Sequence, residues 1–469
     1  MKKTSLFSAN SVAVAVAALC ASMPAFAQVE AKLTGRVHYD MRAIDSGLDK
    51  IDDRDSASVG SNYELRRARI GFTGSLNKQI QFEGVANAVG SSTNFIDTAF
   101  INYGYNQAGQ VRVGRFKQPF SLEENTSSNN IDFMERSYVN QITPGKKLGA
   151  MIHGAHDAGF TYAASMYQND FAELSNSDGA GTMGALRVTG DLAKLAKMGE
   201  GKAVVHLGLG YDKGNYEVLA SSSGNTAKEA ETKARATILS FRDENRGLSN
   251  AYRLQMYGGD ITTTKAYGAT YNDVVNIDKA TNALELAVAY GPFKFQSEMA
   301  DSKFDATTIR SGSKDLNATV KTQYVALVYN ITGEDFAKSY SKGAFGGIKP
   351  TSEFMKDYGG VVGNGTGAWQ VGYRYSKYDA SLTQATTLKA ATISENTVTG
   401  DTNSRYQNSP TANTSTYSLN WILNSNARVM FNYSQTKFGS PVEYLDTDAN
   451  TTSKTSKENI ISVRTQINF

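Results

Sequence analysis

The 469-residue chain contains a single cysteine, Cys20, seven prolines and four histidines. Cys20 ends an apolar run from Val12 that follows Lys2 and Lys3 and precedes Ala25-Phe26-Ala27. A basic start, an apolar stretch and a small-x-small site predict a secretory signal peptide over residues 1–27. Leu19 stands directly before Cys20, where lipoprotein processing wants a small residue, so lipid attachment there is not expected. Removing 27 of 469 residues leaves 442 with no thiol. The exported chain, residues 28–469, would form no disulfide, hold no metal through sulfur and use no cysteine nucleophile.

An excess of either charge is also missing. Lys and Arg number 48 against 45 Asp and Glu, a net +3 that falls to about +1 without Lys2 and Lys3. That balance argues against binding nucleic acid by bulk charge. Beyond the signal no apolar run approaches the ~18–20 residues a membrane helix requires, so helical spanning is excluded. His38, His153, His156 and His206 fall in no HExxH motif, and the chain has no G-x-S-x-G elbow or Gly-rich phosphate loop. No enzyme and no cofactor is expected. The stretch "HGAHDAG" reads as a solvated turn rather than as a metal pair.

What is abundant is glycine (42), tyrosine (25), phenylalanine (21) and alternation of apolar with polar residues. In "VEAKLTGRVHYDMRA" Val29, Ala31, Leu33, Gly35, Val37, Tyr39 and Met41 share one face, opposite Glu30, Lys32, Thr34, Arg36, His38, Asp40 and Arg42. Trp369, Val371, Tyr373 and Tyr375 repeat the pattern, as do Ile461, Val463, Thr465, Ile467 and Phe469 at the terminus. Hairpins are predicted at Asn424 to Asn426 and at Gly291-Pro292. Pro119, Pro144, Pro292, Pro350, Pro410 and Pro441 are read as breaks between strands, because proline cannot donate to a ladder.

Strands of a soluble sandwich are typically about 5–6 residues long, and the run from Val29 to Ala43 is much longer. Short and long polar connections alternate, the long ones including residues 44–60 and 379–415, as in a transmembrane barrel with short periplasmic turns and longer external loops. In lipid a sheet must close on itself to pair every backbone group. At about 27 residues per strand with its connection, the expected fold is all-β, a transmembrane antiparallel barrel of sixteen strands in the bacterial outer membrane. Phe469 then sits in the interfacial girdle. It resembles the C-terminal signal of outer-membrane proteins that the barrel-assembly machinery reads.

A barrel of this size has an aqueous lumen, where the charges at the narrowest point govern what passes. In "YELRRARIGFTGSL" Arg67 and Arg69 point inward; Arg66 falls on the lipid face by parity but lies where the strand begins and can turn inward or snorkel. Arg112 points inward between Val111 and Val113. The stretch from Pro119 through Arg136 is long and non-alternating, either an external loop or one folded into the lumen. Further on, Lys233 and Arg235 alternate, with Arg242 and Arg246 following, either as a ladder for anions or as a surface loop balanced by Glu229, Glu231, Asp243 and Glu244.

The blocks "ELRRARIGFTGSL", "FIDTAFINYG", "RVGRFKQPFSLEENTSSNNIDFMERS", "ALVYNITGEDFAKSY" with "IKP", and "GAWQVGYRYS" resemble, in order, those of the phosphate-selective porin O and P family. The resemblance implies an outer-membrane homotrimer passing small, phosphate-like anions through pores narrowed by infolded loops. It also implies that Arg66, Arg67, Arg112 and Arg136 stand at basic positions of the family's central anion site. Lys233 and Arg235 match its basic ladder more loosely. Phosphate-specific members carry lysine directly after "LE", whereas this chain has Glu124, a candidate modifier of selectivity.

Overall fold

A computed structural model describes residues 29–45, 61–89, 95–169, 181–198, 201–222, 234–247, 251–258, 271–308, 314–357, 362–384, 409–446 and 451–469. The predicted signal segment lies outside them. Alternation along the sequence becomes two-sidedness in space. On β1 (Glu30–Asp45) Leu33, Val37, Tyr39 and Met41 are exposed on the outer surface, while His38, Asp40 and Arg42 are buried inside. The last strand behaves alike: Ile461, Ile467 and Phe469 face out, and Ser462, Arg464 and Gln466 face in.

Following the chain, β2 (Ser61–Ser75), β3 (Ile80–Asn87), β4 (Ile96–Asn106), β5 (Gly109–Lys117), β6 (Lys146–Ala155), β7 (Phe160–Gln168), β8 (Thr182–Asp191) and β9 (Ala203–Ser222) each pair antiparallel with the one before. Next, β10 (Ala234–Phe241) and β11 (Tyr252–Gly258) form a hairpin that meets the wall at Arg235 and Ser221. The wall passes this hairpin by. β12 (Tyr271–Tyr290) pairs directly with β9, then come β13 (Phe293–Thr308), β14 (Lys314–Asn330), β15 (Ala368–Gln384), β16 (Thr411–Ile422), β17 (Ala427–Asp446) and β18 (Thr451–Asn468). β18 pairs with β1 from Asn468–Arg36 to Asn459–Asp45 and closes the sheet. The sheet has eighteen strands among the described residues; without the hairpin, sixteen form the closed antiparallel barrel.

The lumen is not wet all round. On β12 to β14 the inward positions include Ala287, Ala289, Ala300, Ala306, Ala318, Val320 and Val328, all buried. These small side chains leave room for a second layer: Phe120, Leu122, Phe133, Tyr138, Val139 and Ile142 of the β5–β6 connection, with Phe241, Tyr252 and Leu254 of the hairpin, form one apolar core with them. The connection is thus folded into the lumen. Tyr138 and Phe241 both pack on Tyr378 of the wall, with ring centroids 4.9 and 4.5 Å away. An apolar core inside the barrel fills one half of it and leaves the other half open.

Polar anchors complete the graft. Inward arginines of β15, β17 and β18 hold loop carbonyls: Arg374 donates to Glu135 O at 2.9 Å, Arg428 to Ile131 O at 2.9 Å, and Arg464 to Met134 O. Glu298 of β13 accepts from the backbone amides of Leu122 and Glu123 at 2.9 and 2.7 Å, at the start of the short helix α1 (Leu122–Asn125). This satisfies donors that a helix start leaves open.

Two expectations are corrected. Pro441 is not in a break between strands but within β17, where the pairing shifts register between Lys437 and Val442, so its missing donor costs no ladder bond. Connections at the Phe469 end are mostly short, as at Asn77–Gln79, but the one between β14 and β15, residues 331–367, is long and turns into the barrel. It is held there by Arg187 Nη2, which donates to Gly343 O at 2.8 Å. Residues 46–60 and 385–408 of the long connections lie outside the described residues.

Candidate functional site

The open half of the lumen is a cavity of about 780 Å³ between the inner faces of β1 to β8 and the infolded β5–β6 connection. Ten basic residues line it: Arg36, Arg67, Arg69, Arg112, Arg115, Lys117, Arg136, Lys146, Arg187 and Lys342. Three carboxylates, Glu83, Asp97 and Glu124, oppose them. A strong local excess of positive charge therefore sits in a chain of nearly balanced composition, walled by low-dielectric protein that focuses its field.

Arg66 and Arg67 are adjacent, yet both point inward. The pairing of β1 with β2 steps from His38–Arg67 to Tyr39–Leu65 and skips Arg66. This bulge switches parity: Tyr63 and Leu65 face out before it, Ile70 after it. Arg66 does not reach the cavity. Its Nε and Nη2 donate to Glu135 at 2.9 and 3.1 Å, which ties the infolded connection to the wall. Arg67 lines the cavity, with Nη1 3.4 Å from His38 Nδ1 and a buried Nε that has no partner among the described residues. Arg69 lines it too, paired to Asp97 at 2.8 Å.

A second break of alternation lies on β5. Val111 and Val113 face out and Arg112 faces in, stacked over the Phe100 ring at 4.3 Å with Nε donating to Asn102 at 3.3 Å. By parity Arg115 would face lipid, but it lines the cavity. Between them Gly114 adopts φ +127°, and a Cβ there would come within 2.2 Å of the Ala99 carbonyl oxygen. Only glycine permits this coil of the strand.

Glu124 also lines the cavity. Its carboxylate is 3.5 Å from Arg136 Nε and 3.9 Å from Lys117 Nζ, and it accepts from Asn140 Nδ2 at 2.6 Å. Burial pushes the carboxyl up, but Arg136, Lys117 and the Asn140 bond outweigh it and hold it below the ordinary 4.5. Arg136 also donates to the carbonyls of Glu123 (3.0 Å) and Thr126 (2.8 Å). Deeper in the loop packing, burial and neighbouring Asp243 push Glu244 up to about 7, against the pull of Arg374 at 2.9 Å.

Lys233 lies outside the described residues. Arg235 belongs to the hairpin rather than to the wall, paired by backbone with Tyr257 and Ser221. Arg246 pairs with Glu64 at 3.3 Å. Arg36 and Arg187 were readable from alternation in their strands, since Arg36 sits between Gly35 and Val37 and Arg187 between Leu186 and Val188. Lys342 carried no such signal. It occupies the tip of a hairpin between the two-residue strands Tyr340–Ser341 and Ala344–Phe345, with φ 50° at Lys342 and 75° at Gly343. His153 is on β6, not in a turn, and bonds Asn102 Oδ1 at 2.7 Å across the cavity wall; His156 is in the following turn, stacked on Phe160. Among the described residues no group of three or more His, Cys, Asp or Glu is placed to hold a metal.

The fold resembles solved outer-membrane structures at low identity. OmpT of Vibrio cholerae is 10% identical, with a TM-score of 0.47 over 94% of this chain and 98% of that one. The outer-membrane channel DcaP of Acinetobacter baumannii is 10% identical with a TM-score of 0.46 over the same shares. OmpF of Salmonella typhi, in complex with daunomycin, is 10% identical with a TM-score of 0.41, again over 94% and 98%. No curated protein sequence matches the chain significantly. The sequence profile of the phosphate-selective porin O and P family matches residues 31–469, nearly the whole chain, so this chain belongs to that family and is a porin channel of the bacterial outer membrane.

Proposed function

We propose that the channel conducts small anions by passive diffusion, phosphate and related oxyanions among them, with a weak preference for phosphate, and that it assembles as a homotrimer. The observation that supports this reading is the set of ten basic side chains facing three carboxylates around one cavity. Arg67, Arg69, Arg112 and Arg136 are the predicted residues among them. The weak preference follows from Glu124. Opposite unit charges about 4 Å apart interact by roughly 4 kcal/mol at a surface-like effective dielectric. A carboxylate 3.5 Å from Arg136 offsets part of the field that a lysine would strengthen.

Reversal potentials across a planar bilayer in asymmetric potassium chloride test the reading. A potential near the chloride equilibrium value is expected, and one near the potassium value would overturn it. Phosphate block of the chloride current should be weak and should tighten in Glu124→Lys. Strong block already present in the parent channel would count against the role given to Glu124. Native mass measurement in detergent reads the trimer.

A further inference from the structure

Of the three carboxylates that line the cavity, two are engaged. Asp97 pairs with Arg69 at 2.8 Å and accepts from Lys146, and Glu124 accepts from Asn140 beside Arg136. Glu83 differs. It makes no hydrogen bond and no ion pair among the described residues, although it faces the same cavity. It stands on β3 directly across from Phe100, the ring on which Arg112 is stacked. It shares the lining of that cavity with Arg36 and Arg112.

A free carboxylate in an anion passage is an obstacle to most anions. An anion that carries its own proton is the exception, because its O–H can donate to the carboxylate while its remaining oxygens accept from guanidinium groups. Phosphate at neutral pH is a mixture of mono- and dianion, and both forms carry O–H. Sulfate has the same tetrahedral shape and carries none. We propose that Glu83 is a specificity-determining residue, whose carboxylate accepts a hydrogen bond from the O–H of a hydrogen-bearing oxyanion held by Arg36 and Arg112, so that the passage favours phosphate over sulfate.

This inference rests on the anion-channel reading and adds an order among anions to it. The two roles of carboxylate are separate: Glu124 weakens the hold on every anion, whereas Glu83 sorts them. Charge alone predicts the opposite order, because sulfate carries two full charges and would be drawn more strongly to the basic wall. A preference for phosphate therefore has to come from a group that reads the proton. One hydrogen bond to a charged group corresponds to roughly tenfold in affinity.

The test is block of single-channel chloride current at neutral pH by inorganic phosphate and by sulfate, in the parent channel, Glu83→Gln and Glu83→Asp. Phosphate should block at about tenfold lower concentration than sulfate in the parent. Glu83→Gln should bring the two together, chiefly by tightening sulfate block, and Glu83→Asp should keep phosphate ahead. Equal block in the parent, or an unchanged ratio in Glu83→Gln with chloride conductance intact, would overturn the proposal while leaving the anion channel standing. A parent channel that selects cations would remove both.

Discussion

Glu298 and Leu122, 176 residues apart in sequence, are joined by a 2.9 Å hydrogen bond from the Leu122 amide, and the same carboxylate takes the Glu123 amide at 2.7 Å. A strand of the wall thereby caps the short helix of the infolded connection, whose Glu124 and Asn125 line the cavity. Hydrogen bonds of this kind are each worth about 0.5–1.5 kcal/mol. In Glu298→Ala the connection should loosen while the sixteen-stranded wall persists. Single-channel conductance should rise, anion preference should fall, and the heat-modifiable shift of the folded barrel on gels should remain. Conductance equal to the parent would show that the core around Phe120 and Tyr138 holds the connection unaided.

Replacing Arg67 and Arg112 together by alanine should lower the anion-to-cation permeability ratio, because both guanidinium groups face the cavity. An unchanged reversal potential in the double variant would mean that neither stands at the narrowest point.

Arg66→Ala should do something different from Arg67→Ala despite their adjacency. Arg66 is spent on Glu135, whose carboxyl burial pushes up but Arg66 and Arg464 hold well below the ordinary range. Losing it leaves a buried carboxylate with fewer partners, at a cost of about 1–3 kcal/mol. The temperature of heat modification should fall with ion selectivity nearly unchanged. A large loss of selectivity would move Arg66 into the passage.

The pH dependence has a defined sign. Glu124 is held below its ordinary 4.5 by Arg136 and Lys117 acting against burial. The stability it contributes is present above the unfolded value and lost as pH falls through the folded one. Its negative charge in the cavity persists over the same range. Between pH 7 and 5 it should therefore cause no change in chloride preference, and below about 4.5 its protonation should raise that preference. In Glu124→Gln the preference should already be raised at pH 7, and the part of the acid response due to this residue should vanish. Reversal potentials of the two channels from pH 7 to 3 give the comparison, and parallel curves would exclude Glu124 from the passage.

At the terminus, Phe469 exchanges backbone hydrogen bonds with Gly35 at 2.9 and 3.1 Å, and its ring lies where a Cβ on Gly35 would stand, 2.3 Å from the nearest ring carbon. Deleting Phe469 should lower the amount of assembled barrel, and Gly35→Val should do the same by displacing the ring. Undiminished surface levels in both would remove this closure contact from the assembly requirement.

Much of the wall was legible because a two-residue period is a local signal. Leu33, Tyr39, Ile461 and Phe469 face outward as their alternation predicts. Arg66 and Arg115 were not readable in that way. Their direction depends on a bulge opposite β1 and on the backbone of Gly114, features of pairing rather than of composition. The inner core was not legible: the inward face of "LELAVAY" carries Glu285, Ala287 and Ala289, which alternation reads as an ordinary lumen face, and only the infolded connection shows Ala287 and Ala289 sharing an apolar core with Leu122 and Val139. Lys342 was beyond reach, since a tight turn far along the chain carries it to the cavity.

The two breaks of parity, at Arg66 and at Gly114, bear on how such pores can be engineered. In a strictly alternating wall, each added inward side chain obliges an outward one, so the chemistry of the passage is tied to strand length and bilayer thickness. A bulge or a coiled glycine releases that coupling. It supplies an additional inward position without widening the barrel or lengthening its greasy belt. A designer wanting a denser binding strip in a barrel of fixed circumference would place single-residue insertions opposite regular strands, beside the intended constriction.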